Sequence, residues 1–354
     1  MPRAGAGRGL CSARIARAGR SRSGQVQASA SLAFHTRTAR AAAGLAAVAL
    51  SCAACTPAGN AGGPPSPTPR PITAIVQLGD SFSSGNGAGT YEEDTCRRSP
   101  DNYSAPLARE LGANYTNASC SGARTSDIAE QVSAVTPATS VVFLTAGGND
   151  ANFAQIISSC FVLRTPKSCE EAMNTATAAL PAIEEATLGI LRSIDTASHG
   201  QATAILVGYP RLFAERSYLI PPIVESYDAG AALAQLQDAA DAMQERVIAQ
   251  MRKETGSERF LFASTQALFA GHEPRAHAFR GSEDSDDSEE AWLVSPFTST
   301  DIRAWMHPTA RGYRETHAYL RELLAQAGFA ITSIPESSPA TPEPPARTLL
   351  PAES

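Results

Sequence analysis

A serine stands where an apolar run near the start of the folded region breaks off. Residues 72–79 read ITAIVQLG and are followed directly by Asp80 and Ser81. A short apolar run of this kind predicts a buried strand, so Ser81 would lie where the strand passes into a glycine-rich loop. A hydroxyl exposed at a sheet edge can act as a nucleophile, although Gly-Asp-Ser is also an ordinary turn sequence.

Two later strands end in segments that could complete such a site. Gly122 follows a short strand predicted at 114–116, and Asn149 follows an apolar strand predicted at 140–145. Ligand sites in parallel sheets lie at the carboxyl ends of the strands, so these segments converge with Ser81 if the strands are neighbours. Acyl transfer needs donors for the developing oxyanion, which the Ser81 and Gly122 N–H groups and the Asn149 amide would supply. Outside this context, Asn149 is more readily explained as a helix cap or a turn residue.

The general base of such a site would be a histidine on a later loop. The chain has six histidines. His35 lies in the N-terminal leader (residues 1–55), His199 lies between a predicted helix and a predicted strand, and His317 lies inside the last predicted helix. The remaining candidates are His272, His277 and His307. We favour His307, because it directly precedes the final helix, where a loop can reach over the sheet edge, and because Pro308 fixes the turn.

Taken in order, these four segments resemble the four blocks of the SGNH/GDSL hydrolase family. Ser81 stands in GDS, Gly122 in CSGA, Asn149 in GGND and His307 in HPTARGY, and the likeness to the secreted bacterial esterase/lipase branch spans about residues 73–328. The resemblance implies a three-layer α/β/α, flavodoxin-like fold with an oxyanion hole formed by Ser81, Gly122 and Asn149. It also implies serine ester hydrolysis with neither a metal nor an organic cofactor.

The chain departs from this family pattern in two places. Many members carry an aspartate three residues before the histidine to orient it, and Ala304 stands at that position here. We expect the backbone carbonyl of Ala304 to replace the carboxylate and leave a Ser–His dyad, with Asp301 as the alternative orienter. The branch also often carries a third disulfide, but Arg275 stands about where its cysteine would be, which leaves the pocket shape and the substrate open.

Apolar runs alternate with helical patterns along the rest of the chain. The predicted strands lie at 72–78, 114–116, 140–145, 201–209 and 259–263, and the predicted helices at 102–111, 125–135, 151–198 (interrupted by the Cys160–Cys169 loop), 231–253 and 309–328. Strands that are continuously apolar and separated by helices are typical of a parallel sheet buried on both faces. The sequence therefore predicts one α/β domain with about five parallel strands.

The two ends of the chain differ in composition from its middle. Residues 1–55 hold eight arginines, no acidic residue and the short apolar run 41–54, a layout typical of a secretory signal. Residues 56–71 form a Pro/Gly-rich linker, 72–331 the hydrolase domain and 332–354 a disordered Pro-rich tail. We therefore expect a secreted protein. Two outcomes stay open: lipidation of Cys52 or Cys55 with attachment to the cell surface, or simple cleavage and release.

The charge balance excludes one class of partner. Beyond the arginine-rich leader the chain carries 21 basic and 35 acidic residues, and no basic stripe is visible. A body with this excess of negative charge repels nucleic acid, so we expect no nucleic-acid partner. The acidic segment 281–290 fits no calcium-loop spacing and is interpreted as a solvated loop. Nothing in the sequence demands more than a monomer.

The cysteines favour disulfides over a metal site. Three of the seven cysteines lie in the leader, and the four that remain are Cys96, Cys120, Cys160 and Cys169. An even count in an exported chain indicates two disulfides. Of the three pairings that four cysteines allow, we favour the sequence-local ones, Cys96–Cys120 and Cys160–Cys169, which the family resemblance also supports. Beyond the leader, no Cys-x-x-Cys motif and no histidine near these four cysteines points to zinc.

Three hypotheses for function follow. The leading one is an exported esterase or lipase in which Ser81 forms an acyl-enzyme on a small-molecule or lipid ester and His307 is the general base and acid. A polysaccharide deacetylase of the same fold is the first alternative. A non-catalytic, surface-anchored binding protein is the second, although the presence of all four motif residues argues against it.

Overall fold

The computed structural model describes residues 68–220, 226–275, 291–296 and 299–331. The predicted leader, nearly all of the linker, the acidic segment 281–290 and the Pro-rich tail lie outside these residues, and so does His277. Within the described part, no helix is long and apolar enough to cross a membrane.

Five parallel strands form the central sheet, and two very short strands form a separate antiparallel pair. The strands are β1 (Ala74–Gly79), β2 (Asn114–Asn117), β3 (Val141–Thr145), β4 (Thr203–Val207), β5 (Leu219–Ile220), β6 (Tyr227–Asp228) and β7 (Phe260–Ala263). The order across the sheet is β2-β1-β3-β4-β7, and β5 pairs with β6. β1 and β3 are neighbours whose register pairs Gly79 with Thr145, so both strands end at the same level. The segments that follow them, with Ser81 and Asn149, therefore leave the same edge of the sheet.

The described part of the chain contains seven α-helices. They are α1 (Ser81–Ser84), α2 (Ala105–Leu111), α3 (Thr125–Gln131), α4 (Phe153–Ile156), α5 (Pro166–Ala197), α6 (Ala229–Thr255) and α7 (Ala310–Gln326). Short 3-10 helices occur at Val132–Ala134 and Ile302–Ala304, and a π-helix at Ile157–Val162.

The helices lie on both faces of the sheet, because successive side chains of a strand point to opposite faces. On one face, Val142 and Leu144 of β3 pack in a core cluster that includes residues of α3, α5 and α6. On the other face, Val141 and Phe143 pack in a cluster that includes residues of α2 and α7. All five residues of β3 are buried. The predicted three-layer α/β/α fold with five parallel strands is confirmed.

The main differences from the predicted elements are local. The segment between Cys160 and Cys169 was expected to be a loop, but its first part belongs to the π-helix Ile157–Val162. The pair β5 and β6 was not expected, because two residues per strand are too few to show a period. Both favoured disulfides, Cys96–Cys120 and Cys160–Cys169, are present.

Gly79 is the residue that lets β1 end against β3. Its φ is +119°, which L-residues rarely adopt, and a Cβ there would come within 2.5 Å of the Thr145 carbonyl oxygen and 2.8 Å of the Thr145 nitrogen. Because both clashes are with backbone, no side-chain movement can relieve them. Only glycine therefore fits at the position that leads into Asp80 and Ser81.

We predict that Gly79→Ala destabilises the fold more than a matched glycine substitution elsewhere. Gly112 also has a positive φ but has open space around its missing Cβ, so Gly112→Ala should cost only about 1–2 kcal/mol of left-handed backbone strain. Gly79→Ala adds overpacking and should cost roughly 2 kcal/mol more. Chemical denaturation of both variants measures the difference, and equal losses would contradict the close approach of β1 to β3.

Candidate active site

The structure brings Ser81 and His307 into direct contact. The Ser81 hydroxyl Oγ lies 2.7 Å from His307 Nε2, although the two residues are 226 positions apart. Ser81 opens α1 directly after β1, and His307 lies between the 3-10 helix Ile302–Ala304 and α7. The two residues are 8% and 7% exposed, and Ser81 lines a pocket.

Asp80 shapes the turn that presents the serine. Its backbone N–H donates to the Thr145 carbonyl at 3.2 Å, and its side chain caps α1 by accepting from the Phe82 N–H at 3.0 Å. Burial raises the pKa of Asp80 to about 7, and the nearby Asp150 carboxyl acts in the same direction. Asp80 is therefore a structural cap beneath Ser81 rather than a partner of His307.

The orientation of His307 comes from backbone carbonyl groups, and not only from the predicted one. Ring atom Nδ1 lies 3.0 Å from the carbonyl oxygen of Trp305. The carbonyl of Ala304 accepts from the backbone N–H of His307 at 3.1 Å, and it also favours the charged imidazole. The shorter ring contact is thus made with Trp305, one residue after the expected Ala304.

Asp301, the alternative orienter, has another partner. Its carboxylate forms an ion pair with the guanidinium of Arg97, which is only 2% exposed. It also caps the 3-10 helix by accepting from the Arg303 N–H at 3.2 Å. The Asn86 amide donates to the Arg303 carbonyl at 2.7 Å. These contacts fasten the loop that carries His307 to the segment that follows Ser81.

The surroundings of His307 favour the neutral imidazole. Burial lowers the pKa of His307 from 6.5 to about 4, although the Trp305 and Ala304 carbonyls favour the charged form. The rings of Phe82 and Phe153 lie 5.0 and 6.4 Å from the imidazole and supply much of its apolar contact. A neutral imidazole with Nδ1 held by a carbonyl leaves Nε2 free to accept a proton from Ser81.

Gly122 and Asn149 lie at the same edge of the sheet. The Asn149 side-chain amide donates to the Ala123 carbonyl at 2.8 Å, which ties the segment after β3 to the segment after β2. Asn149 is therefore not acting as a helix cap through this amide. Gly122 has a φ of +88° and no atom within 4 Å of its missing Cβ, so its backbone is open to an approaching ligand.

The segment of Gly122 is itself fixed from both sides. The Asp150 carboxylate accepts from the Thr125 N–H at 3.0 Å and from the Thr125 hydroxyl at 2.7 Å. The N–H of Ser121 donates to the Cys96 carbonyl at 2.9 Å, beside the Cys96–Cys120 disulfide. Rigid anchors of this kind are what preorganised donors require, since loose donors lose their electrostatic effect.

An apolar pocket opens beside Ser81. Its wall consists mainly of aliphatic and aromatic side chains contributed by α4, α5, α6 and the segment after β4: Phe153, Ile156, Leu180, Ile183, Leu212, Leu233, Leu236 and Met243. Ser81 and Asn149 lie on the same pocket. Among the described residues, no group of histidine, cysteine or acidic side chains is arranged to hold a metal ion.

The other described histidines do not reach the site. His199 has a left-handed backbone in the turn before β4, and His317 on α7 pairs with Glu110 at 3.0 Å. His272 stacks on the ring of Trp292 at 3.9 Å. The sequence interpretation missed Trp305, because the contact is made by its backbone carbonyl and does not depend on the type of side chain. It missed Arg97 because the bond to Asp301 spans about two hundred residues.

Comparison with known proteins gives a consistent result. The profile of the GDSL-like Lipase/Acylhydrolase family matches residues 78–315. A lipase from Streptomyces rimosus is 31% identical over 68% of this chain and 82% of its own length.

Solved structures give the same picture. The extracellular lipase of Streptomyces rimosus superposes with a TM-score of 0.57 at 28% identity, over 71% of this chain and 99% of that one. Phospholipase A1 from Streptomyces albidoflavus NA297 has a TM-score of 0.54 at 30% identity, with the same coverage. The chain belongs to the GDSL-like lipase/acylhydrolase family of carboxylic ester hydrolases, in its bacterial lipase branch.

Proposed function

We propose that this enzyme hydrolyses esters through an acyl-enzyme on Ser81, with His307 as general base and acid. The observation that carries the proposal is the 2.7 Å contact between Ser81 Oγ and His307 Nε2. The lowered pKa of His307 supports it, because a base must be neutral at the working pH. With Trp305 as a carbonyl orienter, the site is a dyad rather than a triad.

The steps follow from this geometry. His307 Nε2 removes the Ser81 proton as Oγ attacks the ester carbonyl, and the negative charge develops on the carbonyl oxygen. The N–H groups of Ser81 and Gly122 and the Asn149 amide stabilise that oxyanion. His307 then protonates the leaving alcohol. Water, deprotonated by His307, attacks the acyl-enzyme and releases the acid and free Ser81.

The pocket favours a lipid-like acyl group. Its wall beside Ser81 is almost wholly apolar, and apolar surface attracts an acyl chain in proportion to the area that leaves water. The similar proteins named above are a lipase and a phospholipase A1. This lining argues against the alternative of a polysaccharide deacetylase, since an acetyl group would leave most of the wall unused.

We also propose that the chain is exported. The arginine-rich, apolar leader supports this, and the structurally similar lipase of Streptomyces rimosus is described as extracellular. Lipidation of Cys52 or Cys55 would keep the domain at the cell surface, and cleavage without lipidation would release it. The acidic body carries no basic stripe that would hold it to nucleic acid.

Ser81→Ala should abolish turnover. Loss of the nucleophile should lower kcat by about a thousand-fold or more, by analogy with removal of other catalytic serines. The assay uses p-nitrophenyl esters from acetate to palmitate, with phospholipid and acetylated xylan alongside. Ser84→Ala is the matched control, because Ser84 is a buried serine of the same turn whose hydroxyl donates to the Ser81 carbonyl at 3.1 Å. Comparable losses in both variants, or full activity of Ser81→Ala, would contradict the proposal.

The pH profile should show an unusually low acidic limb. Because the pKa of His307 is lowered to about 4, the base stays neutral as pH falls through 6.5, and the decrease in kcat/KM that reports protonation of His307 should lie near pH 4. The Asp80 carboxyl, with a pKa of about 7, is the other titrating group at the site. The low limb should therefore persist in Asp80→Asn. A limb centred near 6.5 in both proteins would show an unperturbed histidine.

The dyad assignment predicts a split between stability and rate for Asp301→Asn. The substitution leaves the buried Arg97 without its counter-charge and should cost about 2 kcal/mol of unfolding free energy, whereas kcat should change less than about tenfold. Asp94→Asn, which removes an exposed pair with Arg303, should change neither by much. A loss of orders of magnitude in kcat for Asp301→Asn would make Asp301 the orienter after all.

A further inference from the structure

Tyr209 lies between the loop of the nucleophile and the loop of the oxyanion donor. Its hydroxyl accepts a hydrogen bond from the Gly148 N–H at 2.9 Å and donates one to the Asp80 carboxylate. Asp80 immediately precedes Ser81, and Gly148 immediately precedes Asn149. One phenol thus connects the residues next to two groups that must act on the same carbonyl. We call this set of contacts, Asp80–Tyr209–Gly148, the Tyr209 bridge.

Packing leaves the phenol little freedom. The ring meets Phe82 edge-on, with 5.0 Å between centroids, and Phe82 in turn contacts the His307 ring. A Cβ on Gly148 would come within 3.0 Å of the Tyr209 hydroxyl, so the absence of a side chain there is what admits the bond. Asp80, at the other end of the bridge, is buried.

The bridge begins where the β1–β3 ladder ends, at the pair Gly79 and Thr145. Two further bonds join the segments there: the Asp80 N–H donates to the Thr145 carbonyl, and the Thr145 N–H donates to the Ser83 hydroxyl at 3.0 Å. Beyond that point the two segments follow different paths, into α1 and toward α4. Tyr209, two residues after the end of β4, links the two segments at the residues next to Ser81 and Asn149.

We infer that Tyr209 is a positioning residue, which sets the distance between the Ser81 nucleophile and the Asn149 oxyanion donor. The inference rests on the proposed function, since it assumes that both residues act on one ester carbonyl. Tyr209 lines the pocket beside Ser81, but its hydroxyl is committed to Gly148 and Asp80. It therefore acts through its neighbours rather than on the substrate.

The electrostatics agree with the direction of these bonds. Burial and the Asp80 charge raise the pKa of Tyr209 well above 10, so the phenol keeps its proton and remains a donor through the neutral range. The bond from Tyr209 lowers the pKa of Asp80 against the stronger effect of burial. The bridge thus favours the carboxylate form of Asp80, which also accepts from the Phe82 N–H.

Tyr209→Phe removes the bridge while keeping the ring. Hydrolysis of p-nitrophenyl butyrate should show kcat lowered roughly 10- to 100-fold, because small displacements of reacting groups are costly, with KM changed less than about threefold. Tyr115→Phe is the matched control, since its hydroxyl on β2 also bonds buried side chains, Asn102 and Ser104. The control should keep its kcat even if its melting temperature falls as much as that of Tyr209→Phe.

A double-mutant cycle with Asn149→Ala separates positioning from general loosening. If Tyr209 acts by placing Asn149, adding Tyr209→Phe to Asn149→Ala should cost less than about threefold in kcat, far below its effect in the wild type. Fully multiplicative losses in the double variant would overturn the inference. So would an unchanged kcat in Tyr209→Phe, or an equal loss of kcat in Tyr115→Phe.

The same cycle distinguishes failure of the inference from failure of the proposed function. Asn149→Ala alone should lower kcat by about a hundred- to a thousand-fold if it supplies an oxyanion donor. Full activity of Asn149→Ala would remove the oxyanion assignment, and the positioning role with it. A large loss in Asn149→Ala combined with multiplicative effects would leave the proposed function intact and reject only the role of Tyr209.

Discussion

The hydrogen bond between Ser81 and His307 is the contact on which the site depends. It joins the first strand of the sheet to the loop before the last helix, across 226 residues of sequence. Neither loop is held in place by the sheet alone. The loop of His307 is fastened by the Asp301–Arg97 ion pair and by Asn86, and the turn of Ser81 by Gly79 and the cap from Asp80.

Burial decides how this pair can work. A carbonyl orienter adds no negative charge beside the imidazole, so nothing opposes desolvation strongly enough to raise the pKa of His307. The base is therefore neutral over a wide pH range, but its protonated form gains no ion-pair stabilisation during the reaction. In the proposed mechanism, donors aimed at the oxyanion then carry a larger share of transition-state stabilisation, so the placement of Gly122 and Asn149 becomes decisive.

Sequence patterns predicted the sheet and the four motif residues because both can be recognised from short stretches of neighbouring residues. The continuous apolar run of β3 specifies a strand buried on two faces, and polar residues after such strands must meet at one edge. The Trp305 carbonyl, the Arg97–Asp301 pair and the Tyr209 bridge were not predictable, since each depends on backbone geometry or on partners distant in sequence. The contact of Nδ1 with Trp305 rather than with Ala304 alone depends on the 3-10 helix before it, which the sequence pattern does not show.

The most direct measurement is the location of the covalent bond that the mechanism requires. The mature protein is treated with a fluorophosphonate, which reacts with activated serines, and the modified peptide is fragmented in a mass spectrometer to resolve Ser81 from Ser83 and Ser84. We predict a stoichiometric adduct on Ser81 that fails to form in His307→Ala. No adduct, or an adduct on another serine, would contradict the assignment of Ser81 as the nucleophile activated by His307.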